Sequence, residues 1–384
     1  MLETDFLIIG AGIAGASIAY RLAPEANVIL VDMEAQADYH TTGRSAAFYA
    51  ETYGGPAVQP LTTASKEFLS SPPEGFTAYP LMHELGALHV FRTGQESQAQ
   101  QLFASLHQSL PDVVMLDRNQ VLGKAPQLAP SDIAGGVFDP GCSGLDVAVL
   151  HQAFLRAAKK AGAKTRLNTM LKGAEFVRGL WRVETTDTVI SAKVLVNTAG
   201  AWADKVAELC GIKPLGLQPL RRTIVTVDTP DGHIRAAQSP IIMEIGKEHY
   251  FKPEGQGYLL TPGDEILMPP SDVQPELEDV ALAIEQFEQA TKLSVKKIGA
   301  KWAGLRTFAS DRTPIIGYAS DHEHFFWSVG QGGYGIQTAP AWSDLAATLI
   351  TRKSVPNYQV KCGVRAETYD PARFFNMTRK NASA

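Results

Sequence analysis

Three glycines and one acid near the start of the chain could do recognisable chemistry. Gly10, Gly12 and Gly15 stand in G-x-G-x-x-G spacing, and Asp32 follows 22 residues after the first. In a phosphate-binding turn the first glycine permits the tight bend. The second lets the backbone approach a pyrophosphate, and the third lets the next helix pack on the preceding strand. That helix turns free N–H groups and the positive end of its dipole toward the phosphates. An acid at the end of the following strand binds both hydroxyls of an adenosine ribose and repels a 2′-phosphate. The motif alone leaves flavin and nicotinamide dinucleotides open.

The glycines have this meaning only between a strand and a helix. Phe6, Leu7, Ile8 and Ile9 form a continuous apolar run, as in a buried parallel strand. Ala16 to Leu22 reads as a helix ended by Pro24, and Val28 to Val31 as a second buried strand closed by Asp32. Further on, residues 147–162 carry apolar side chains at helical spacing, and Val194, Leu195 and Val196 read as a strand. Residues 218–262 alternate as antiparallel strands do. Phe325 to Val329 reads as a strand feeding a glycine-rich turn at 330–335 and then a helix to about Ile350. Glycine turns at both ends with a different pattern between them predict an α/β chain, α+β overall. It comprises a discontinuous Rossmann-type nucleotide domain, residues 1–80, 145–205 and 307–384, and an inserted sheet-rich domain, residues 81–144 and 206–306.

Composition narrows the class. At 384 residues, 45% of them hydrophobic, the chain exceeds the size at which single cores divide. A formal net charge of −5 argues against non-specific nucleic-acid binding, which needs basic surface. Cys142, Cys210 and Cys362 are scattered, with no C-x-x-C pair, and read as reduced thiols. The N-terminal apolar stretch has Glu3 and Asp5 where a signal peptide has basic residues. No stretch reaches the about 18 apolar residues of a membrane span, so a cytoplasmic location is expected. His322 and His324 lie in a polar stretch read as a solvated turn, and no metal site is expected.

Taken together, several segments resemble the FAD-dependent D-amino-acid oxidase/dehydrogenase superfamily, and most of all bacterial D-arginine dehydrogenases and related D-amino-acid dehydrogenases. They are residues 6–15 with Asp32, Tyr39 to Ala47, Leu195 to Trp202, Leu217 to Arg222, Trp302 to Arg306, and Gln331 to Thr338. The resemblance spans nearly the whole chain. It implies an enzyme that moves a hydride from the α-carbon of a D-amino acid to a flavin, giving an imino acid that water converts to a 2-keto acid and ammonia. The implied cofactor set is Gly10, Gly12, Ala14, Gly15, Asp32, Met33, Thr41, Thr42, Gly43, Arg44, Ser45, Ala46, Ala47, Leu171, Gly200, Gln331, Gly332, Gly333, Tyr334, Gly335 and Ile336. With no cysteine between Cys210 and Cys362, the FAD is expected to be non-covalent. The partner is a small amino acid, with O2 or a quinone as final acceptor left open.

The same resemblance implies that Arg222 and Arg306 hold the substrate carboxylate, which a planar guanidinium grips with two N–H groups. The adjacent Arg221 leaves the choice within that Arg-Arg pair ambiguous. Tyr250 adds a hydrogen bond, Tyr53 lines the pocket, and the carbonyl of Gly333 faces the amine. Phe48 and Ala87 stand where D-arginine dehydrogenases have a histidine and an acid. Apolar residues there predict apolar rather than cationic substrates, with Glu84 as a replacement acid if the register differs. Oxidation of a secondary amine such as sarcosine or a cyclic imino acid fits the same residues. A 2-hydroxy acid oxidase, a non-catalytic FAD subunit and an NAD-dependent dehydrogenase are weaker alternatives.

Overall fold

The computed structural model describes residues 1–229 and 239–375. An eight-stranded sheet carries the order Leu171–Val177, Leu180–Thr185, Val189–Asn197, Leu2–Ile9, Val28–Val31, Lys164–Arg166. The last four of these run parallel to one another. His322–Val329 joins the end of Val189–Asn197, also parallel, with Leu195 opposite Phe325.

Side chains alternate across this sheet with the strand period of two. Ile8, Leu30, Val196 and Phe326 face the helices Ile13–Leu22 and Gly335–Ile350, where they meet Ile18, Trp342 and Leu345. Leu7, Ile29, Leu195 and Phe325 face the other way, onto Val206 of the Ala203–Leu209 helix. Each fully buried side chain of this kind contributes about 1.5–3 kcal/mol. Both faces are covered, which is why these strands read as unbroken apolar runs.

The second sheet has nine strands. Its order is Ile266–Leu267, Gln218–Asp228, Gly257–Thr261, Tyr250–Glu254, Ile241–Glu244, Ala87–Arg92, Ile133–Asp139, Val114–Asp117, with Lys297–Phe308 also paired along Gln218–Asp228. The expected antiparallel strands of 218–262 are present, with residues 230–238 outside the described residues. One pairing that reaches outside 218–262 is parallel. Ile241–Glu244 runs parallel to Ala87–Arg92, because the two come from distant parts of the chain and no hairpin ties their direction. A small third sheet, Phe48–Tyr49, Ser143–Leu145 and Met82–Glu84, bridges the two large ones in sequence.

Two local expectations need correction. The first helix starts at Ile13, three residues before Ala16, so its N-terminus lies directly against the glycine turn. The 321–324 stretch is not a solvated turn, since the strand already begins at His322. His322 packs on Trp181 with ring centres 4.6 Å apart, and His324 stacks on Phe176 at 4.7 Å. Aromatic packing, invisible in the polar local sequence, extends the strand. Among the described residues no group of three or more His, Cys, Asp or Glu side chains is placed to hold a metal. No described helix is long and apolar enough to cross a membrane.

Candidate active site

A cavity of about 300 Å³ runs from the carboxyl ends of the parallel strands to the long strands of the second sheet. That end of a parallel sheet is where dinucleotides bind. Of the residues the sequence assigned to a cofactor, all but Gly15, Gly43 and Tyr334 line this cavity, and so do Phe48, Tyr53, Arg222, Tyr250 and Arg306.

The glycine turn is built for close approach. Gly10 has φ +103°, and a Cβ there would lie 2.7 Å from the carbonyl oxygen of Thr198. Gly15 sits under the turn instead of on the cavity, where a Cβ would collide with the Gly10 carbonyl. That is the helix-packing role expected of the third glycine. Asp32 accepts the N–H of Ala11 through Oδ2 at 2.6 Å and that of Glu34 through Oδ1 at 2.9 Å. Burial holds its carboxyl above the usual carboxylate range, while those N–H groups work in the opposite direction. Thr42 reaches the helix start, accepting the N–H of Ile13 at 3.0 Å.

Residues 39–47 are stitched to the second sheet. Thr41 donates to the Leu305 carbonyl at 2.7 Å, Arg44 donates to the carbonyls of Ala303 (3.0 Å) and Val273 (3.2 Å), and Trp302 donates back to the Arg44 carbonyl at 2.9 Å. Gly304 leaves the room for this, since a Cβ there would touch the Arg44 side chain at 3.4 Å. Gly43 turns its bare face to the Asp38 carbonyl, away from the cavity. A dinucleotide fits these features: a cradle that side chains would fill, a helix start with free N–H groups, and an acid at the end of the second strand.

Register settles the two arginines. Arg222 pairs with Gly304 and Leu220 with Arg306 on neighbouring antiparallel strands. Residues opposite one another share a face, so Arg222 and Arg306 are diagonal neighbours on the same face. Arg221 takes the opposite face, where Glu276 (2.9 Å) and Asp279 (2.6 Å) accept from it. Of the adjacent pair, Arg222 is therefore the one that lines the cavity. Burial, and then the charge of Arg306, lower the Arg222 pKa.

Arg306 donates to the Tyr53 hydroxyl at 3.1 Å. A Cβ on Gly333 would stand 2.9 Å from that hydroxyl and 3.0 Å from Arg306 Nη1, so only glycine leaves this corner open. Phe48 lies 5.4 Å from Tyr53 and 5.8 Å from Tyr250, ring centre to ring centre. The Tyr250 phenol is pushed up to about 12, chiefly by burial. Ala87 is fully buried in the cluster behind Phe48, with Ala50, Cys142 and Ile241. Glu84 is exposed and does not line the cavity, so it does not replace a missing acid. Tyr334 also stands apart from the cavity wall, packing edge-on behind Tyr53 at 4.9 Å.

Three residues matter that the sequence did not single out. His151 holds the Ala11 carbonyl under the glycine turn. Gln337, on the Gly335–Ile350 helix, accepts the N–H of Ala50 at 3.1 Å and donates to the Tyr53 carbonyl at 3.3 Å, fixing the loop that carries Tyr53. Glu265 pairs with Arg222 and Arg306.

Comparison with known proteins agrees with this geometry. The family described as FAD dependent oxidoreductase matches residues 5–349. Glycine oxidase of Geobacillus kaustophilus is 24% identical, over 91% of this chain and 93% of that enzyme. Human mitochondrial dimethylglycine dehydrogenase is 22% identical over 87% of this chain, which spans only 41% of that longer protein. The crystal structure of L-proline dehydrogenase from P. horikoshii superposes with a TM-score of 0.83 at 22% identity, covering 98% of each chain. The chain belongs to the FAD-dependent oxidoreductase family.

Proposed function

We propose that this enzyme oxidises the carbon–nitrogen bond of an amino acid held by its carboxylate. D-amino acids with apolar side chains are the first substrates to try. The observation that carries the reading is the same-face placement of Arg222 and Arg306 on the cavity, with the Tyr53 hydroxyl and the open corner at Gly333 between them. Two guanidiniums converging on a buried cavity call for an anion. The flavin supplies the acceptor for the hydride that leaves the substrate carbon.

The protein's share is positioning. Arg222 and Arg306 fix the carboxylate, and Tyr250 stands beside it. Phe48 excludes water from the reacting end and gives the side chain an apolar wall. On the cavity the carboxylates are Asp32 and Glu34 and the one histidine is His40, all at the nucleotide end, among the described residues. None is placed to take a proton from the substrate, and burial makes Tyr250 a poor base at neutral pH. The amine therefore has to arrive neutral, with its lone pair free to become the imine. Among the described residues no histidine lines the cavity near the arginines, which also disfavours a hydroxy acid, whose alcohol needs a base.

The handedness of the substrate rests on sequence resemblance alone. The similar enzymes are named for glycine, dimethylglycine and L-proline. An N-substituted or cyclic amino acid fits the apolar wall at Phe48 equally well and is the second reading. The division into a cofactor half, residues 1–80, 145–205 and 307–384, and a substrate half, residues 81–144 and 206–306, is part of the same proposal. It is supported by the way the two large sheets partition the described residues. Residues 376–384 fall outside that description. None of the three cysteines lines the cavity, which supports non-covalent FAD.

The test is an anaerobic titration of the holoenzyme with D-, L- and N-methyl amino acids, following the visible band of the oxidised flavin. Bleaching by D-isomers only supports the first reading, and bleaching by sarcosine or proline supports the second. No bleaching by any carboxylate-bearing amine overturns both.

A further inference from the structure

Glu265 does not line the cavity, yet its carboxylate grips two arginines that do, Arg222 and Arg306. Its Oε1 accepts from Arg306 Nη2 at 2.5 Å and from Arg222 Nη2 at 3.4 Å. Arg312 holds the same carboxylate from the solvent side, with Nη1 on Oε2 and Nη2 on Oε1, both at 3.0 Å. Arg312 is itself seated over the ring of Phe308, 3.9 Å from its centre.

The chain fixes this carboxylate in place. On one side of it, Asp264 accepts the N–H of Thr223 at 2.7 Å and its hydroxyl at 3.0 Å, while the Asp264 carbonyl accepts Arg222 Nε at 2.9 Å. On the other side, Ile266 pairs with Arg221 in the sheet. Gly263 makes the turn at φ +86°, where a Cβ would lie 2.6 Å from Glu248. Glu265 is thus clasped beside Arg222 by its neighbours before its own side chain makes any bond.

We propose that Glu265 is the positioning residue for the carboxylate clamp, acting through Arg306 and Arg222 without touching substrate. This rests on the reading of those arginines as the carboxylate site. Two neighbouring buried guanidiniums repel and would splay apart if nothing stood between them. An anion shared by their outer nitrogens holds them together and spends those nitrogens on the protein. Of their terminal nitrogens, what is left is the Nη1 of each, that of Arg306 standing beside the Tyr53 hydroxyl and the open corner at Gly333. Partners that orient the groups contacting a ligand typically change its affinity by about 10–100-fold when removed.

The experiment uses the FAD-loaded enzyme and propionate, a carboxylate with no amine to oxidise, titrated by its perturbation of the flavin spectrum. Glu265→Ala is expected to weaken propionate at least tenfold and to raise the substrate KM similarly. The kcat at saturation and the FAD affinity should stay near wild type, while the Tm falls because two buried guanidiniums lose their shared anion. Glu265→Gln, which keeps an acceptor for Arg306, should recover part of the loss. If Glu265→Ala does not fold, Arg312→Met tests the same link from outside, with a smaller but measurable weakening expected. Equal or tighter propionate binding in these variants overturns the proposal, and so does a fall in kcat with no change in KM. Failure of the wild-type enzyme to bind propionate at all overturns the carboxylate reading itself.

Discussion

His151 Nε2 lies 2.8 Å from the carbonyl oxygen of Ala11, joining the Val147–Lys160 helix to the middle of the glycine turn. A carbonyl only accepts, so Nε2 carries the proton and the buried Nδ1, which has no partner among the described residues, is bare. Protonating Nδ1 would create a buried donor with nothing to bind. Burial accordingly pushes the His151 pKa down, against the weaker upward pull of the Ala11 carbonyl. A histidine depressed in the folded state contributes stability that is fully present above its unfolded pKa of about 6.5. That stability is lost as pH falls from there through the folded value. His89, His249 and His322 are depressed too, each mainly by burial. The Tm of the enzyme is therefore expected to drop between pH 6.5 and pH 5, before the carboxylates titrate. His151→Gln, which keeps a donor for Ala11, should flatten part of that drop and retain FAD. A Tm independent of pH across this interval contradicts the assignment.

The glycine turn makes a separate prediction through Asp32. Its carboxylate shapes the turn by accepting Ala11 N–H, and its position on the cavity suits a ribose. A hydrogen bond to a charged acceptor contributes about 1.5–3 kcal/mol. Asp32→Ala should thus weaken FAD by about 10–100-fold, measured by flavin fluorescence on dilution, with the same side-chain preference once FAD is saturating. Unchanged FAD affinity would place Asp32 outside the cofactor site.

What the sequence revealed and what it hid follow from distance along the chain. The strand, glycine turn, helix and second strand of residues 2–32 are set by local pattern, and each stands within a few residues of its expected place. Arg222 and Arg221 are indistinguishable locally. Only pairing with Gly304 and Leu305 decides which one faces the cavity, and that register belongs to a strand 80 residues away. Glu265 looks like a solvated acid in a polar turn, because its three arginines are distant in sequence. His151 lies on the buried face of an amphipathic helix, and its partner lies 140 residues earlier. The family resemblance implies Tyr334 among the cofactor residues, together with the glycines of the 330–335 turn. Its ring instead fills the space behind Tyr53, a choice made by packing with Phe308 and Leu220.

The corner at Gly333 offers a substitution with a specific signature. A methyl group there would lie 2.9 Å from the Tyr53 hydroxyl and 3.0 Å from Arg306 Nη1, closer than real side chains come. Gly333→Ala should keep the fold, since the atoms it meets are the ends of the Tyr53 and Arg306 side chains, which can shift. Turnover should fall at least about 100-fold, the cost expected of an ångström-scale misplacement at a reacting centre. Rapid-reaction flavin reduction would show this directly. Wild-type reduction rates in Gly333→Ala would mean that the substrate does not use this corner.

The arginines themselves should respond unequally. Arg306 reaches Tyr53 with Nη1 and Glu265 with Nη2, so both arms of its planar fork are held in place. Lysine cannot reproduce a fork with a point charge. Removing a partner from a desolvated, hydrogen-bonded ion pair costs about 2–5 kcal/mol. Arg306→Lys is therefore expected to lower kcat/KM by about 30-fold or more. Arg221→Lys, on the opposite face among Glu276 and Asp279, should leave kcat/KM within about threefold and act on stability instead. Steady-state kinetics on the best substrate of the anaerobic screen separates the two. Equal losses from both variants would mean that the strand register does not decide which arginine holds the carboxylate, and the clamp would have to be sought elsewhere on the cavity.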